Sequence, residues 1–184
     1  MAGSNVVTPE ARVSYPNVFR PGKPMNPANE PKYSLVLLFP KGQDLAALKA
    51  AVMAVMTEKF GPKEGGAWPK TWRNPFRDQG EKESQGYEDG AVFITASTKT
   101  RPGLVGPDMN PIIDESEFYA GCYCRAQVRP YWYDNSGNKG IAFGLQNIMK
   151  TRDGEPLDGR MKAAEVFKEF ANAEGDDDGD PFAM

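Results

Sequence analysis

Tyrosine and arginine alternate along the stretch from Tyr119 to Tyr133. Successive side chains of a β-strand point to opposite faces, so in a strand the odd positions share one surface. Aromatic rings stack on nucleic-acid bases and arginine pairs with phosphate. Such a face predicts nucleic-acid binding, although both residue types are also common on half-exposed sheet faces. The odd face holds no carboxylate and comprises Tyr119, Gly121, Tyr123, Arg125, Gln127, Arg129, Tyr131 and Tyr133.

The opposite face of this predicted strand is small and apolar, from Ala120 to Trp132, and suits a core. Further cations surround the stretch. Lys99 and Arg101 precede it. The hairpin from Tyr119 to Arg152 has a local charge of about +4, with Asp134 as its one acid, and its bases are Arg125, Arg129, Lys139, Lys150 and Arg152.

A second aromatic and basic segment runs from Ala67 to Arg77. Its rings alternate with cations and no acid interrupts them: Trp68, Lys70, Trp72, Arg73, Phe76 and Arg77. The segment belongs to a predicted irregular insertion, 61–90, and irregular segments of this length are usually functional or disordered. Two interpretations stay open. Either the tryptophans stack on bases, or they fold back as a hydrophobic lid.

Several classes of chemistry are excluded by composition. The chain contains no histidine, the commonest general base and transition-metal ligand, and its two cysteines cannot complete a zinc site. No phosphate-binding G-x-x-x-x-G-K-[ST] loop is present. We therefore expect no cofactor and no bound metal. One enzymatic alternative remains, a Mg²⁺-dependent nuclease using the carboxylates of the 108–117 loop, Asp108, Asp114, Glu115 and Glu117.

The charge of the chain divides into two unlike parts. Five of the 25 acidic residues and none of the 22 basic residues lie between Glu174 and Met184. The body therefore carries about +2 and the tail −5, an asymmetry typical of nucleic-acid proteins. We predict one domain over 1–172 and a disordered acidic tail over 173–184. The longest apolar run, Ala50–Met56, is too short to span a bilayer, which favours an intracellular protein.

The elements that position these residues are mainly strands. Sixteen prolines and nineteen glycines favour a β-rich α+β fold. Period-two patterns predict strands from Ala11, over Lys32–Phe39, Ala91–Thr98 and Gly140–Lys150, with a turn at 135–138. Apolar spacings of three and four predict one long helix from Asp44 to Phe60, with Asp44 as its N-cap. Residues 1–8 are predicted to be frayed, 16–31 a loop and 161–171 a short helix.

The order of these motifs resembles a known family. The strand ending Y-W-Y-D, the segment G-I-A-F-G-L-Q-N-I-M-K, the following R-D-G-E-P-L and the tail D-D-D-G-D-P-F are similar to bacteriophage single-stranded-DNA-binding proteins. The opening A-R-V-S-Y-P-N-V-F resembles the first strand of that family. The resemblance implies a five-stranded OB-type barrel that binds single-stranded DNA without sequence preference. It also implies a non-catalytic role in phage DNA replication, recombination or repair in the host cytoplasm.

Candidate binding residues follow from the two aromatic and basic segments. We expect DNA contacts from Tyr119, Tyr123, Arg125, Arg129, Tyr131, Tyr133, Lys139, Lys99, Arg101, Trp68, Lys70, Trp72, Arg73 and Arg77. The resemblance implies that the tail recruits replication or recombination proteins through Asp176, Asp177, Asp178, Asp180, Pro181 and Phe182. Because the tail is a polyanion, we also predict that it competes weakly with DNA for the basic groove. Weaker binding to duplex DNA and a homodimer are further open possibilities. The remaining alternative is a phage structural or adaptor protein whose aromatic face binds protein.

Overall fold

The computed structural model describes residues 3–24, 26–82, 84, 86–157, 167 and 170. Between residues 3 and 157, the described residues form eight strands and one α-helix. In chain order these are β1 (Val6–Val7), β2 (Ala11–Gly22), β3 (Lys32–Leu38), α1 (Ala46–Phe60), β4 (Arg77–Asp78), β5 (Val92–Thr98), β6 (Gly103–Val105), β7 (Tyr123–Asn135) and β8 (Asn138–Arg152). Single 3₁₀ turns occupy Gln79–Glu81 and Glu115–Glu117.

Five of the strands close into a ring in the order β2, β3, β5, β8, β7 and back to β2. The β5–β8 pairing is parallel and the other four are antiparallel. Closure leaves few unpaired strand edges. The three short strands extend the ring, β1 on β7, β4 on β5 and β6 on β8. The predicted five-stranded OB-type barrel is therefore confirmed.

The interior of the barrel is filled by the predicted apolar face of β7. Cys124, Ala126 and Val128 are buried there, together with inward side chains of β3, β5 and β8. Both cysteines are buried, and the pKa of the Cys124 thiol is raised by burial and, to a smaller extent, by the proximity of Cys122. The strand begins later than predicted. Residues 119–122 form a turn instead, so Tyr119 is not on the strand face.

Helix α1 packs against the barrel with the predicted stripe. Leu48, Val52, Val55 and Met56 are buried. The helix starts at Ala46, and its N-cap residue is Leu45 rather than the predicted Asp44, although the Asp44 carboxylate accepts the Ala46 N–H at 2.9 Å. The helix ends at Phe60, as predicted, and Gly61 follows it with a positive φ of 83°.

Two segments are more regular than predicted. The N-terminal residues are not frayed throughout, because β1 pairs with β7 and the Thr8 hydroxyl accepts the Ala126 N–H at 3.0 Å. The region predicted as a loop from residue 16 continues β2 as far as Gly22. Register shifts between Ser14 and Gly22 let this strand absorb its prolines, which cannot donate ladder hydrogen bonds.

The 61–90 insertion also contains order. Its strand β4 pairs with β5, and the buried Gln79 amide donates to the carbonyl oxygens of Phe39 and Val92, at 2.8 Å each. The Gln79 side chain thus connects the insertion to Phe39, directly after β3, and to Val92, the first residue of β5. The predicted tail and nearly all of the predicted 161–171 helix lie outside the described residues. No helix in the described part of the chain is long and apolar enough to cross a membrane.

Candidate nucleic-acid interface

The outward face of the β7–β8 hairpin, which we call the hairpin face, carries tyrosine and arginine side chains on β7 and small residues on β8. Arg125, Arg129 and Tyr131 are exposed, and Tyr133 is half-buried. Across the strand pair, small residues stand opposite the large side chains: Gly140 opposite Tyr133, Ala142 opposite Tyr131 and Gly144 opposite Arg129. Burial and the proximity of Tyr133 raise the pKa of Tyr131, so the phenol stays neutral. The small residues opposite Tyr131 and Arg129 leave room beside the Tyr131 ring for flat ligands, whereas the space beside Gly140 is occupied by Arg73.

Strand register joins this face to the rest of the barrel surface. Ser34 pairs with Ser97, Ser97 with Gly144, and Gly144 with Arg129. These four residues form one row across β3, β5, β8 and β7, about 14 Å long at the usual strand spacing. The row contains only small side chains until it reaches Arg129. It therefore forms a shallow path across the strands.

A basic groove lies at the other end of this row. The connection between β2 and β3 overhangs the strands and encloses a cavity of about 560 Å³. Three lysines line it, Lys23, Lys32 and Lys99, with Lys99 paired to Glu30 at 3.3 Å. Its neutral polar lining includes Asn17, Asn29, Ser34, Ser97 and Asn135. The predicted Arg101 follows β5 and is exposed.

Lys23 and Lys32 were missed among the candidate residues. Lys23 lies within the proline-rich 16–31 segment and Lys32 directly follows it, and this segment offers no strand periodicity to assign a face. The only sequence signal was the presence of these two cations. The barrel brings them beside Lys99 because β3 pairs with both β2 and β5.

Several predicted residues are engaged in intramolecular contacts. The Arg152 guanidinium lies 3.7 Å above the Tyr123 ring and pairs with Glu10 at 3.0 Å. The Tyr119 hydroxyl donates to Gly154 O at 2.9 Å. Arg77 pairs with Glu81 at 2.7 Å. Tyr123, Tyr119 and Arg77 are thus less available to a ligand than Tyr131 or Arg129.

Lys150 also contributes little to the charge of the protein surface. It is only 8 % exposed, and its ammonium donates to Glu117 O at 2.5 Å and to Asp153 Oδ1 at 2.7 Å. The Lys150 side chain therefore serves the fold. With Arg152 paired to Glu10, the unpaired charge of the hairpin is smaller than its sequence indicates.

The aromatic residues of the 67–77 segment fold back onto the core. Trp68 and Trp72 form an edge-to-face pair 6.3 Å apart, and the Trp68 indole donates to Gly61 O at 2.8 Å. Phe76 contacts Phe143 edge-to-face at 5.9 Å. All three rings are partly buried, whereas Lys70 and Arg73 stay exposed. This geometry favours the lid interpretation of the tryptophans.

Three carboxylates of the 108–117 loop take part in hydrogen bonds or an ion pair within the protein. Hydrogen bonds from Asn110 hold the pKa of Asp108 below its usual value, and hydrogen bonds from Ser116 do the same for the pKa of Asp114. Glu115 pairs with Arg20 at 2.9 Å. Within the ranges that the structure describes, no three His, Cys, Asp or Glu side chains are grouped to hold a metal ion. The loop therefore shows no assembled two-metal site.

Comparison with known proteins gives consistent matches. The family model described as "Enterobacter phage Enc34, ssDNA-binding protein" matches residues 4–180. The putative protein p50 of Acyrthosiphon pisum secondary endosymbiont phage 1 is 31% identical over 172 residues, which cover 89% of this chain and 92% of that protein.

Solved structures match over most of the chain. The single-stranded DNA-binding protein from bacteriophage Enc34 is 26% identical with a TM-score of 0.64, and covers 89% of each chain. The same protein in complex with ssDNA gives a TM-score of 0.68 at 24% identity, over 83% of this chain and 89% of that one. The single-stranded DNA binding protein gp2.5 of bacteriophage T7 shares the fold, with a TM-score of 0.62 at 12% identity over 99% of this chain and 100% of that one.

Proposed function

Because the chain belongs to the family of the ssDNA-binding protein of Enterobacter phage Enc34, we propose that it binds single-stranded DNA without sequence preference. We further propose that it catalyses no reaction on the DNA. The observation that carries the proposal is the row from Ser34 to Arg129, a path of small side chains with cations at both ends.

In this proposal the cations contact phosphates and the aromatic rings stack on bases. Lys23, Lys32 and Lys99 would neutralise phosphates in the groove, and Arg129 and Arg125 would do so on the hairpin face. Bases would stack on the exposed Tyr131 ring and its half-buried neighbour Tyr133. Stacking and phosphate contacts read no base edge, which accounts for the absence of sequence preference.

The biological role we propose is protection and presentation of single-stranded DNA during phage replication, recombination or repair in the host cytoplasm. Duplex DNA would bind more weakly, because its bases are unavailable for stacking. The acidic tail would recruit replication or recombination proteins through residues 176–182, or compete with DNA for the groove.

The test is a titration of a fluorescein-labelled oligothymidine, followed by anisotropy, at several salt concentrations and beside duplex DNA of equal length. We expect tighter binding of the single strand and a steep loss of affinity as salt rises, because phosphate neutralisation releases counterions. Arg129→Glu should weaken binding, whereas Lys49→Glu on the exposed side of α1 should not.

Failure to bind the oligothymidine at low salt would overturn the proposal and return the hairpin face to the adaptor interpretation. Degradation of the labelled DNA in the presence of Mg²⁺, lost in an Asp114→Ala variant, would instead support the nuclease.

A further inference from the structure

The 67–77 segment is attached to the hairpin tip by backbone hydrogen bonds. The Arg73 N–H donates to Lys139 O at 2.8 Å, and the Ile141 N–H donates to Arg73 O at 3.2 Å. Arg73 therefore pairs with Gly140 in the manner of one residue of a parallel strand. The contact joins two parts of the chain more than sixty residues apart in sequence. It fixes the backbone position from which the Arg73 side chain extends.

This attachment requires glycine at position 140. A Cβ at Gly140 would lie 2.5 Å from Arg73 O and 2.8 Å from Arg73 N, closer than real Cβ atoms approach. The obstructing atoms are mainly backbone, so a side-chain rotation cannot relieve the clash. Gly144 lies four residues further along the same strand, and a Cβ there would meet Arg129 O at an ordinary 3.5 Å. Glycine at position 140 is thus required by the close approach of Arg73, whereas position 144 has no such backbone clash.

The attachment borders a second basic pocket at the hairpin tip, which is shallow and open to solvent. Its volume is about 510 Å³ and its lining consists of Thr71, Trp72, Arg73, Gly137, Asn138 and Lys139. The lining contains two cations, a hydroxyl and an amide, but no carboxylate. Among the described residues neither Arg73 nor Lys139 takes part in an ion pair. Asp134 stands opposite Lys139 in register, but its carboxylate accepts the Gly137 N–H at 3.1 Å.

We propose that this cavity, which we call the hairpin-tip site, binds a backbone phosphate of single-stranded DNA, and that Gly140 positions Arg73 for it. The inference rests on the proposed function. Arginine and lysine are the side chains that bind phosphate, and arginine can do so with two parallel hydrogen bonds. Thr71 and Asn138 add uncharged donors.

The location of the hairpin-tip site extends the DNA path. Asn135 lines the basic groove and Asn138 lines the hairpin-tip site, so only the two-residue turn separates the two cavities along the chain. A strand leaving the groove reaches the hairpin-tip site without crossing an acidic surface in either lining except Glu30. The partly buried Trp68 and Trp72 then have a structural role, because they hold the segment that carries Arg73 against the core.

The experiment compares full-length variants by anisotropy with labelled oligothymidine over a range of salt. Arg73→Ala should weaken binding several-fold at low salt and reduce the slope of log affinity against log salt by about 0.7, the value for one lost single-strand phosphate contact. Lys139→Ala should behave alike. Lys49→Ala, which removes an exposed cation from α1, is the matched control and should leave both quantities unchanged.

Gly140→Ala tests the positioning role. We expect it to reproduce the loss of affinity and slope seen with Arg73→Ala, and to shift tryptophan emission to longer wavelength as the segment detaches. Adding Arg73→Ala to Gly140→Ala should then cost nothing further, since both changes remove the same contact.

The outcomes distinguish failure of the hairpin-tip site from failure of the proposed function. If the unchanged protein binds the oligonucleotide but Arg73→Ala and Lys139→Ala match Lys49→Ala, the hairpin-tip site is wrong and the proposed function stands. If the unchanged protein does not bind, the proposed function itself fails. Additive losses from Gly140→Ala and Arg73→Ala would overturn the positioning role. If Gly140→Ala does not fold, Arg73→Ala and Lys139→Ala still decide the phosphate site.

Discussion

Side chains of the same type on the hairpin have different surroundings. Tyr131 is 39% exposed and lies beside Ala142, which leaves its ring accessible. Tyr123 lies eight residues earlier, about 26 Å away along an extended strand, and an arginine guanidinium lies over its ring. Among cations, Arg129 is exposed whereas Lys150 is buried with two hydrogen-bond acceptors. Residue type alone therefore does not tell which side chains are available to DNA.

Tyr131→Ala is expected to weaken the binding of single-stranded DNA by about 1–3 kcal/mol, the usual loss when one base loses its aromatic partner. Tyr123→Ala is the matched change on the same face. It should leave affinity nearly unaltered and lower the free energy of unfolding, because Arg152 loses the ring beneath it. Anisotropy titration and urea denaturation measure the two effects. A larger loss of affinity from Tyr123→Ala than from Tyr131→Ala would contradict the assignment.

Glu10 links stability to pH. Hydrogen bonds from Thr151 and then Arg152 hold its pKa below the ordinary value of 4.5. Because the pKa is lower in the folded state, the ionised carboxylate stabilises the fold above pH 4.5, and this contribution disappears as pH falls through the folded-state pKa.

Glu10→Gln should therefore destabilise the protein at pH 7 and make progressively less difference below pH 4.5. Urea denaturation at a series of pH values measures this dependence. Glu64→Gln, in an exposed turn, is the control. A Glu10→Gln effect that is constant between pH 7 and pH 3 would show that the carboxylate charge is not involved.

At the scale of elements, the β7–β8 hairpin carries most of the candidate interface. It supplies the hairpin face, one end of the row across the strands, and the turn between the two basic cavities. The turn has two central residues, and both have positive φ, 55° at Ser136 and 92° at Gly137. Such two-residue turns match the twist of paired strands and favour asparagine followed by glycine. Ser136 is the less suited of the two.

Ser136→Asn is expected to raise the melting temperature, since asparagine adopts positive φ more readily than serine. Gly137→Ala should lower stability by about 1–2 kcal/mol, the cost of a left-handed conformation for a residue with a Cβ. Thermal unfolding followed by circular dichroism tests both. A lower melting temperature for Ser136→Asn would count against the turn geometry.

At the scale of the whole molecule, charge is separated along β8. The hairpin tip at its start is surrounded by Lys139, Arg73 and the lysines of the groove. The acidic 108–117 loop lies at its other end, beside Lys150 and Asp153. The tail adds five more negative charges to a body of about +2. The distribution of charge rather than the net charge therefore favours binding of a polyanion.

Removal of residues 174–184 is expected to tighten DNA binding at low salt, because a tethered polyanion no longer competes for the groove. The gain should vanish at high salt, where exposed charges are screened. A full-length control with Glu174→Gln and the tail aspartates changed to asparagine keeps the length and removes the charge. It should bind as tightly as the shortened protein. Equal affinity of the shortened and unchanged proteins at low salt would exclude competition by the tail.

Local pattern was enough to predict much of this protein. The alternation of β7, the apolar stripe of α1 and the turn at 135–138 each follow from spacings within a few residues, where backbone geometry dictates which side chains share a face. The family resemblance rested on the end of β7, on β8, on the first strand and on the tail. Burial of Cys124 also followed from the alternation of β7.

Tertiary structure alone decided which of these side chains face solvent. Arg152 lies over Tyr123, Lys23 and Lys32 meet Lys99, and Gly140 admits Arg73 because strands distant in sequence pair in one register. Local periodicity carries no information about such pairings, and a shift of one residue would exchange the two faces of a strand. The sequence therefore determined the chemistry available to this protein, and barrel closure determined where that chemistry is exposed.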